Sequence, residues 1–179
     1  MTALAELLGS DVLTVAPGLL GRRLVSTIGG VTTAVVIDEV EAYDAGNDPA
    51  SHAYRGETPR NRSMFGPNGT LYVYRSYGIH WCMNVTCGPE GWASAVLLRG
   101  GRPVEGVETM VARRGREDHL TDGPGKLCQA LAVTGDHDGT SVFEGPVRVE
   151  GEPEDGVTVA TPRIGISKAV DYPWRFVRG

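Results

Sequence analysis

Residues 39–84 have the sequence EVEAYDAGNDPASHAYRGETPRNRSMFGPNGTLYVYRSYGIHWCMN, which combines strand-borne carboxylates, several tyrosines, four arginines and an Asn-Gly turn in one block. Its first residues complete a β-branched run over residues 31–43, which predicts a strand. Because side chains alternate across a strand, Glu39, Glu41 and Tyr43 are predicted to share one face. A carboxylate between apolar neighbours on such a strand lies either at an exposed edge or in a functional site. The spacing alone leaves that choice open.

A long polar segment and a hairpin complete the stretch. Residues 44–69 are too many for an inert connection, and loops of this length are usually functional or disordered. Apolar side chains within the segment, such as Met64, favour an anchored loop. Residues 70–74 and 79–85 then alternate as two strands, which predicts a β-hairpin with Tyr77 at its tip. A large aromatic side chain at a hairpin tip indicates a wedge or an interface anchor.

The rest of the chain supplies helices and further strands. Helices are predicted over residues 4–8, 16–20, 103–114 and 127–133, a strand over 93–99, and short strands and turns over 142–179. The 25 glycines and 11 prolines indicate many turns and a strand-rich body. A chain of 179 residues fits one domain. We therefore predict a single α+β domain: a curved, mainly antiparallel, open-barrel-like sheet with packed helices and a protruding hairpin.

The net charge of −5 opposes phosphate binding, but the charges are unevenly distributed. Residues 136–155 carry seven acids and one arginine, whereas residues 51–86 carry four arginines and one glutamate. An acidic protein with a locally basic face is compatible with nucleic acid binding of modest affinity and strong salt dependence.

The cysteines and the hydropathy pattern give expectations about metals and location. Cys82, Cys87 and Cys128 are odd in number and lack the paired spacing of zinc sites. We expect them to be reduced core residues, with no metal and no disulfide. No apolar run approaches the roughly 18 residues of a membrane helix, and residues 1–10 lack the pattern of a signal peptide. A cytoplasmic protein without a membrane partner is expected.

Carboxylates, tyrosines and arginines in one block suggest chemistry on a nucleic acid base. A carboxylate can activate water, tyrosine faces can sandwich a base, and arginines can hold phosphates. Structural alternatives exist for His52 as a hydrogen-bonding loop residue, for Tyr72 and Tyr74 as packing residues, and for Asn84 as a buried amide. Two other functions stay open: a non-catalytic nucleic-acid-binding module, and a nucleoside or small-molecule hydrolase.

The segment Gly-Pro-Gly-Lys126 precedes a predicted helix, which makes it a natural phosphate site. It is too short for a Walker loop, and Asp122 before it opposes an anion. Binding of a nucleoside triphosphate is therefore not expected.

Several strings in the chain resemble a known enzyme family. They are EVEAY, SHA, TPRNRSMF, GTLYVYRSYG, CMN, VLLRG, GPGKLCQAL, RIGI and RFVRG. In order and spacing they are similar to the alkyladenine or 3-methyladenine DNA glycosylases, the mammalian-type N-methylpurine glycosylases, over about residues 15–179. The resemblance implies a monomer that flips alkylated or deaminated purines out of duplex DNA and hydrolyses their N-glycosidic bonds without a cofactor. In a bacterium such an enzyme would be associated with the nucleoid.

The resemblance also implies roles in catalysis and base binding. Glu41 matches the general base, which polarises a water for attack on C1′, and Arg99 matches a residue near that water. The matches in the base pocket are Tyr43, His52 and Tyr74 as the faces that hold the base, Leu97 as a wall, and Asn84 as the amide that obstructs the exocyclic amino group of guanine.

DNA contacts are implied around the hairpin. Tyr77 matches the residue that enters the minor groove and fills the gap left by the flipped nucleotide, and Ile79 and His80 would flank it. The other expected DNA-binding residues are Arg60, Asn61, Tyr72 and Lys126. No lysine matches a Schiff-base position, which implies simple hydrolysis to an abasic site.

Overall fold

A computed structural model describes residues 2–179, in which eight strands form one sheet. The strands are β1 (Arg23–Ser26), β2 (Thr33–Tyr43), β3 (Leu71–Ser76), β4 (His80–Cys87), β5 (Ser94–Glu105), β6 (Val147–Glu150), β7 (Thr158–Thr161) and β8 (Arg175–Arg178). The helices are α1 (Ala3–Leu8), α2 (Val12–Leu19), α3 (Val107–Arg114) and α4 (Pro124–Ala130). Paired strands are antiparallel throughout this sheet. The predicted α+β class is confirmed.

Strand β2 is the centre of the sheet. The strand order is β3-β4-β5-β2-β1-β6, and β8, which also pairs with β7, adds to β2. β2 therefore pairs with β5 along one edge and with β1 and then β8 along the other. The sheet curls strongly into a half-barrel, as the sequence predicted. Residues 39–43 consequently lie in the interior of the sheet, away from its outer edges.

The helices cover the sheet and enclose the core. Asp11 caps the N-terminus of helix α2, because its Oδ1 accepts hydrogen bonds from the backbone N–H groups of Leu13 and Thr14 at 3.0 and 3.1 Å. An apolar helix face must be buried against another element. The core formed in this way includes Leu8, Leu19, Ile37, Leu98, Met110 and Leu127. Cys82, Cys87 and Cys128 are buried and free, in agreement with the prediction of small core residues.

The predicted helix over residues 103–114 was wrong in its first part. Strand β5 continues to Glu105, because Pro103 pairs with Val35 and Glu105 pairs with Ala34 of β2. Gly106, at φ +68°, ends the strand, and the helix begins only at Val107. The acids and arginines of this segment are typical of a helix, but pairing with the central strand overrides that local preference.

The other predicted elements are present with shifted boundaries. Helix α2 begins four residues before the predicted start at residue 16, and α4 begins three residues before residue 127. The hairpin of β3 and β4 is present with Tyr77 at its tip, and each of its strands begins one residue later and ends two residues later than predicted. Among residues 2–179, no helix has the length and apolar character needed to cross a bilayer.

Candidate active site

Glu41 lies in the interior of the sheet with its carboxylate enclosed. β2 places it between β5, where it pairs with Leu97, and β8, where it pairs with Arg175. Its side chain has no solvent exposure. The Tyr43 hydroxyl donates to Oε2 at 2.7 Å, and the backbone N–H of Ile164 donates to Oε1 at 2.7 Å. Both carboxylate oxygens are therefore held by donors from two distant parts of the chain.

The Tyr43 hydroxyl acts only as a donor in this pair. Burial raises the pKa of Tyr43, and the negative charge of Glu41 raises it further. The phenol consequently stays protonated at neutral pH. It orients the carboxylate and does not compete with it for protons.

Arg99 connects Glu41 to the second carboxylate of the strand. Its Nε donates to Glu39 Oε1 at 2.8 Å, and its Nη1 lies 3.5 Å from Glu41 Oε1. Arg175 Nε donates to the same oxygen of Glu39 at 2.6 Å. Burial raises the pKa of Glu39, but the hydrogen bonds from Arg175 and Arg99 outweigh it and hold that pKa below its ordinary value. Glu39 is therefore an ion-paired carboxylate beside the candidate base.

A cavity of about 650 Å³ borders these groups. Its lining includes Tyr43, Arg99 and Ile164, each of which contacts the carboxylate group of Glu41. Of the residues singled out from the sequence, the lining contains Tyr43, His52, Arg60, Tyr72, Tyr74, Tyr77, Asn84, Leu97 and Arg99. Such a volume falls within the usual range for small-molecule sites. The candidate base therefore lies directly behind the wall of a cavity with room for a nucleobase.

One wall of the cavity is aromatic. The rings of Tyr72 and Tyr74 stack with centroids 5.5 Å apart. The His52 ring meets Tyr74 edge-on at 4.5 Å, and its Nδ1 is 3.0 Å from the Tyr72 hydroxyl. Burial lowers the pKa of His52, and the charge of Arg60 lowers it further. At neutral pH this imidazole is uncharged and can present an aromatic face.

Asn84 and Leu97 face each other across β4 and β5, where they form a register pair. Both side chains are buried and both border the cavity. Asn84 Nδ2 donates to the backbone carbonyl of Tyr72 at 3.1 Å, which fixes the direction of the amide. These two residues make a rigid floor of one polar and one apolar side chain.

The hairpin tip combines exposure with contact to the cavity. Tyr77 is 89% exposed and Ile79 is 66% exposed, and His80 beside them is also exposed. Tyr77 has a positive φ of 50°, and Gly78 follows at 66°. These left-handed residues turn the chain so that the tyrosine points outward at the mouth of the cavity, which it helps to line.

Two of the residues predicted to contact DNA, Tyr72 and Asn61, are buried. Tyr72 is 1% exposed, and its hydroxyl pairs with His52. Asn61 is also buried: its Nδ2 donates to the carbonyls of His52 and Gly56 at 2.9 and 3.0 Å, and its Oδ1 accepts from Thr58 N at 2.6 Å. Their side chains support the loop and the aromatic wall, and the predicted DNA contacts of both residues stay predictions.

The two cations predicted to contact DNA lie in different environments. Arg60 is exposed, donates to the carbonyl of Arg75 at 3.1 Å and borders the cavity. Lys126 Nζ is paired with Asp122 at 2.9 Å, and Asp122 also hydrogen-bonds with His119. The hydrogen bond with His119, which has the larger effect, and the hydrogen bond with Lys126 together hold the pKa of Asp122 at about 2. A phosphate would have to compete with Asp122 for Lys126, and the predicted DNA contacts of both cations stay predictions.

Sequence reasoning missed a group contributed by the C-terminal region. Residues 164–168 line the cavity together with residues of the hairpin. Arg163, just before them, forms a buried ion pair with Asp48 of the long loop. The string RIGI, residues 163–166, contributed to the family resemblance, but no functional role was predicted for its residues. The partners are 115 residues apart, and no local pattern joins them.

Comparison with known proteins shows the family of the chain. A family model described as methylpurine-DNA glycosylase (MPG) matches residues 6–179. The chain belongs to this family. The expected resemblance is thereby confirmed over almost the whole sequence.

Several relatives are about half identical to the chain. One from Rhodopseudomonas palustris (strain HaA2) is 54% identical over 168 residues, which cover 90% of this chain and 79% of the relative. One from Methanoculleus marisnigri is 52% identical over 185 residues, which cover 98% and 94%. One from Frankia casuarinae is 51% identical over 180 residues, which cover 92% and 83%. Each carries the name "Putative 3-methyladenine DNA glycosylase".

Proposed function

We propose that this protein is a monofunctional DNA glycosylase that removes alkylated or deaminated purines from duplex DNA and leaves abasic sites. The observation that carries the proposal is the enclosed Glu41 carboxylate, held by Tyr43 and Ile164 directly behind an aromatic cavity. Such an enzyme needs a pocket for a base and an oriented group that activates water. In this chain Tyr43 both lines the cavity and donates a hydrogen bond to the Glu41 carboxylate. Family membership and the names of the relatives support the same activity.

The substrate nucleotide must leave the duplex to reach the cavity. Flipping costs a few kcal/mol and is easiest for damaged or mispaired bases. Stacking of the base on Tyr43, Tyr74 and His52 contributes about 1–3 kcal/mol per base and offsets much of this cost. Tyr77 fills the gap left in the duplex. All of these residues come from one chain, so we propose that a monomer acts on DNA, at the nucleoid within the cytoplasm.

The chemical step is a hydrolysis. Glu41 accepts a proton from a water whose oxygen bonds to C1′, while the bond from C1′ to the purine nitrogen breaks and its electrons leave with the base. Burial lowers the pKa of Arg99, but the charges of Glu41 and Glu39 outweigh it and raise that pKa. Arg99 therefore stays cationic, lines the cavity and orients the water beside Glu41. A cationic methylated purine departs as a neutral base and needs little further help.

Selectivity follows from the floor of the cavity. Asn84, fixed by the Tyr72 carbonyl, occupies the space that the exocyclic amino group of guanine would need. A normal guanine is excluded by steric overlap and by an unpaired donor. 3-Methyladenine and hypoxanthine lack this amino group and fit. 7-Methylguanine carries it, but its cationic base departs readily, which offsets poorer binding, and we propose these three lesions as the substrate class. The backbone carbonyl of His52 already accepts a hydrogen bond from the Asn61 side chain. We therefore propose that the backbone N–H of His52 is the group that meets the edge of the base.

A comparison of the two strand carboxylates tests the proposal. Glu41→Gln keeps the shape of the side chain but removes the base, and we expect release of damaged purines to be abolished while binding of the lesion duplex remains measurable. Glu39→Gln is the matched control, because it makes the same change on the same strand face. It should reduce excision much less. Abasic sites are counted after incubation with duplexes that each contain one lesion.

Three outcomes would contradict the proposal. Turnover by Glu41→Gln at a near wild-type rate would remove Glu41 from the mechanism. Absence of base release from every lesion duplex by the wild-type protein would favour a binding module. Release of bases from free nucleosides, without any need for duplex, would favour a nucleoside hydrolase.

A further inference from the structure

A buried ion pair lies beneath the cavity wall, outside the residues used in the proposed mechanism. Arg163 Nη1 and Nη2 donate to the two carboxylate oxygens of Asp48 at 2.5 and 2.9 Å, and neither side chain is exposed to solvent. Within residues 2–179, Arg163 Nε is buried without a hydrogen-bond partner. Well-packed apolar side chains often stabilise a fold as well as a buried ion pair does. Stability alone is therefore a weak explanation for this pair.

The guanidinium of Arg163 lies against the ring that holds Glu41. Its central carbon is 4.6 Å from the centroid of Tyr43, and it is 5.2 Å from that of Trp174. Its Nη1 also donates to the backbone carbonyl of Ala42 at 2.8 Å. Ala42 is the residue between Glu41 and Tyr43, so the guanidinium contacts both the backbone and the ring at this point of β2.

The second donor to Glu41 depends on the same residue. Ile164, whose N–H donates to Glu41 Oε1, directly follows Arg163 in the chain. Movement of the Arg163 backbone must move this N–H. Arg163 therefore controls the two neutral donors of the carboxylate: the N–H through the chain, and the Tyr43 hydroxyl through the ring.

We propose that the Arg163–Asp48 pair is a positioning element that fixes the direction of the Glu41 carboxylate for catalysis. This inference rests on the proposed glycosylase function. Asp48 belongs to the loop that also carries His52, so the pair joins three parts of the site: the loop, β2 and the segment over residues 164–168. Neither member of the pair contacts the substrate. They act through Tyr43 and Ile164.

The test separates positioning from stability by measuring the rate per folded molecule. Arg163→Met removes the ion pair and the hydrogen bond to Ala42 but keeps an apolar stem. Arg22→Met is the matched control: Arg22 is also buried, and it donates to the carbonyls of Gly18 and Gly151, but it does not border the cavity. Excision is followed in single turnovers with saturating enzyme, and binding is measured on a duplex that carries a non-cleavable abasic analogue.

Misplacement of a catalytic group by about 1 Å can lower a rate roughly 10²-fold. We expect Arg163→Met to lower the single-turnover rate on that order, with less than about threefold change in duplex affinity. Arg163→Lys retains the positive charge but cannot make the two parallel hydrogen bonds of a guanidinium. Its single-turnover rate should lie between those of Arg163→Met and wild type. Arg22→Met should lower the free energy of unfolding but excise at the wild-type rate. A crystal structure of Arg163→Met should show the contact between Glu41 and Ile164 N broken or lengthened.

The inference is overturned if folded Arg163→Met excises at the wild-type rate, or if Arg22→Met loses as much activity. A Glu41 carboxylate that keeps both donors in the crystal structure of Arg163→Met would also overturn it. If that variant does not fold, Asp48→Asn gives the same test, because it keeps the shape of the partner and removes its charge. Wild-type protein that releases no base defeats the proposed function, whereas wild-type activity unchanged in the Arg163 and Asp48 variants defeats only this inference.

Discussion

The exposed tyrosine at the hairpin tip allows DNA binding to be separated from folding. Tyr77 is 89% exposed, so Tyr77→Ala removes almost no packing contact. Alanine also has a Cβ, and the positive φ of 50° is therefore neither relieved nor worsened. Substitutions of this kind change the free energy of unfolding by no more than about 0.5 kcal/mol.

The expected loss of DNA binding is much larger. An aromatic side chain that stacks on bases contributes about 1–3 kcal/mol. At 25 °C this corresponds to a roughly 5- to 150-fold higher Kd for a duplex that contains a lesion. An undamaged duplex, from which no nucleotide is flipped, should be affected less. The difference between the two duplexes isolates the role of Tyr77 in filling the gap.

Fluorescence anisotropy with labelled duplexes measures the binding, and urea denaturation measures the folding. Val157→Ala is a suitable control, since Val157 is 72% exposed and does not border the cavity. Val157→Ala should change neither the Kd for the lesion duplex nor the free energy of unfolding. A Tyr77→Ala protein that binds the lesion duplex like wild type would refute the wedge role. A protein that unfolds would show that Tyr77 supports the fold.

Two further predictions concern residues beside the cavity. In the folded state, burial raises the pKa of Glu39 but the bonds from Arg175 and Arg99 lower it more, so Glu39 stabilises the protein above its ordinary pKa of 4.5. The stability difference between wild type and Glu39→Gln should be full at pH 7 and decrease as pH falls from 4.5 through the lowered pKa of Glu39, and a difference in urea titrations that grows as pH is lowered from 4.5 would contradict this. Asn61→Ala leaves buried backbone groups unpaired and should destabilise the protein by about 1–3 kcal/mol, with little change in the Kd of the folded variant for DNA. Unchanged stability with a clearly higher Kd for DNA would instead make Asn61 a DNA contact.

Local patterns in the sequence predicted the elements that carry the candidate base and the hairpin. Strand β2 has the two-residue period that places Glu41 and Tyr43 on one face, and a tyrosine next to a glycine marks the turn at Tyr77. Such patterns depend only on neighbours in the chain. They are therefore readable without knowledge of the tertiary structure.

Features that depend on distant contacts were not predictable in this way. Residues 103–105 have helix-like neighbours, but they join β5 because β2 offers them a pairing edge. Tyr72 and Asn61 can face DNA or pack inside, and only burial distinguishes these roles. The pair of Asp48 and Arg163 has no local signature, because the two residues meet only after the loop and the C-terminal segment fold onto β2.

The two carboxylates on the same face of β2 show how environment divides chemically identical groups. Glu39 receives short hydrogen bonds from two guanidinium groups on one oxygen, and these must be broken or weakened before it can take a proton. Glu41 receives a hydroxyl and an amide N–H, and its nearest guanidinium nitrogen lies 3.5 Å away. Glu41 therefore has one guanidinium partner, which it shares with Glu39, whereas Glu39 has a second partner in Arg175. The weaker ion pairing of Glu41 supports its proposed role as the base, and the position of Glu39 supports a role in holding Arg99 beside the attacking water.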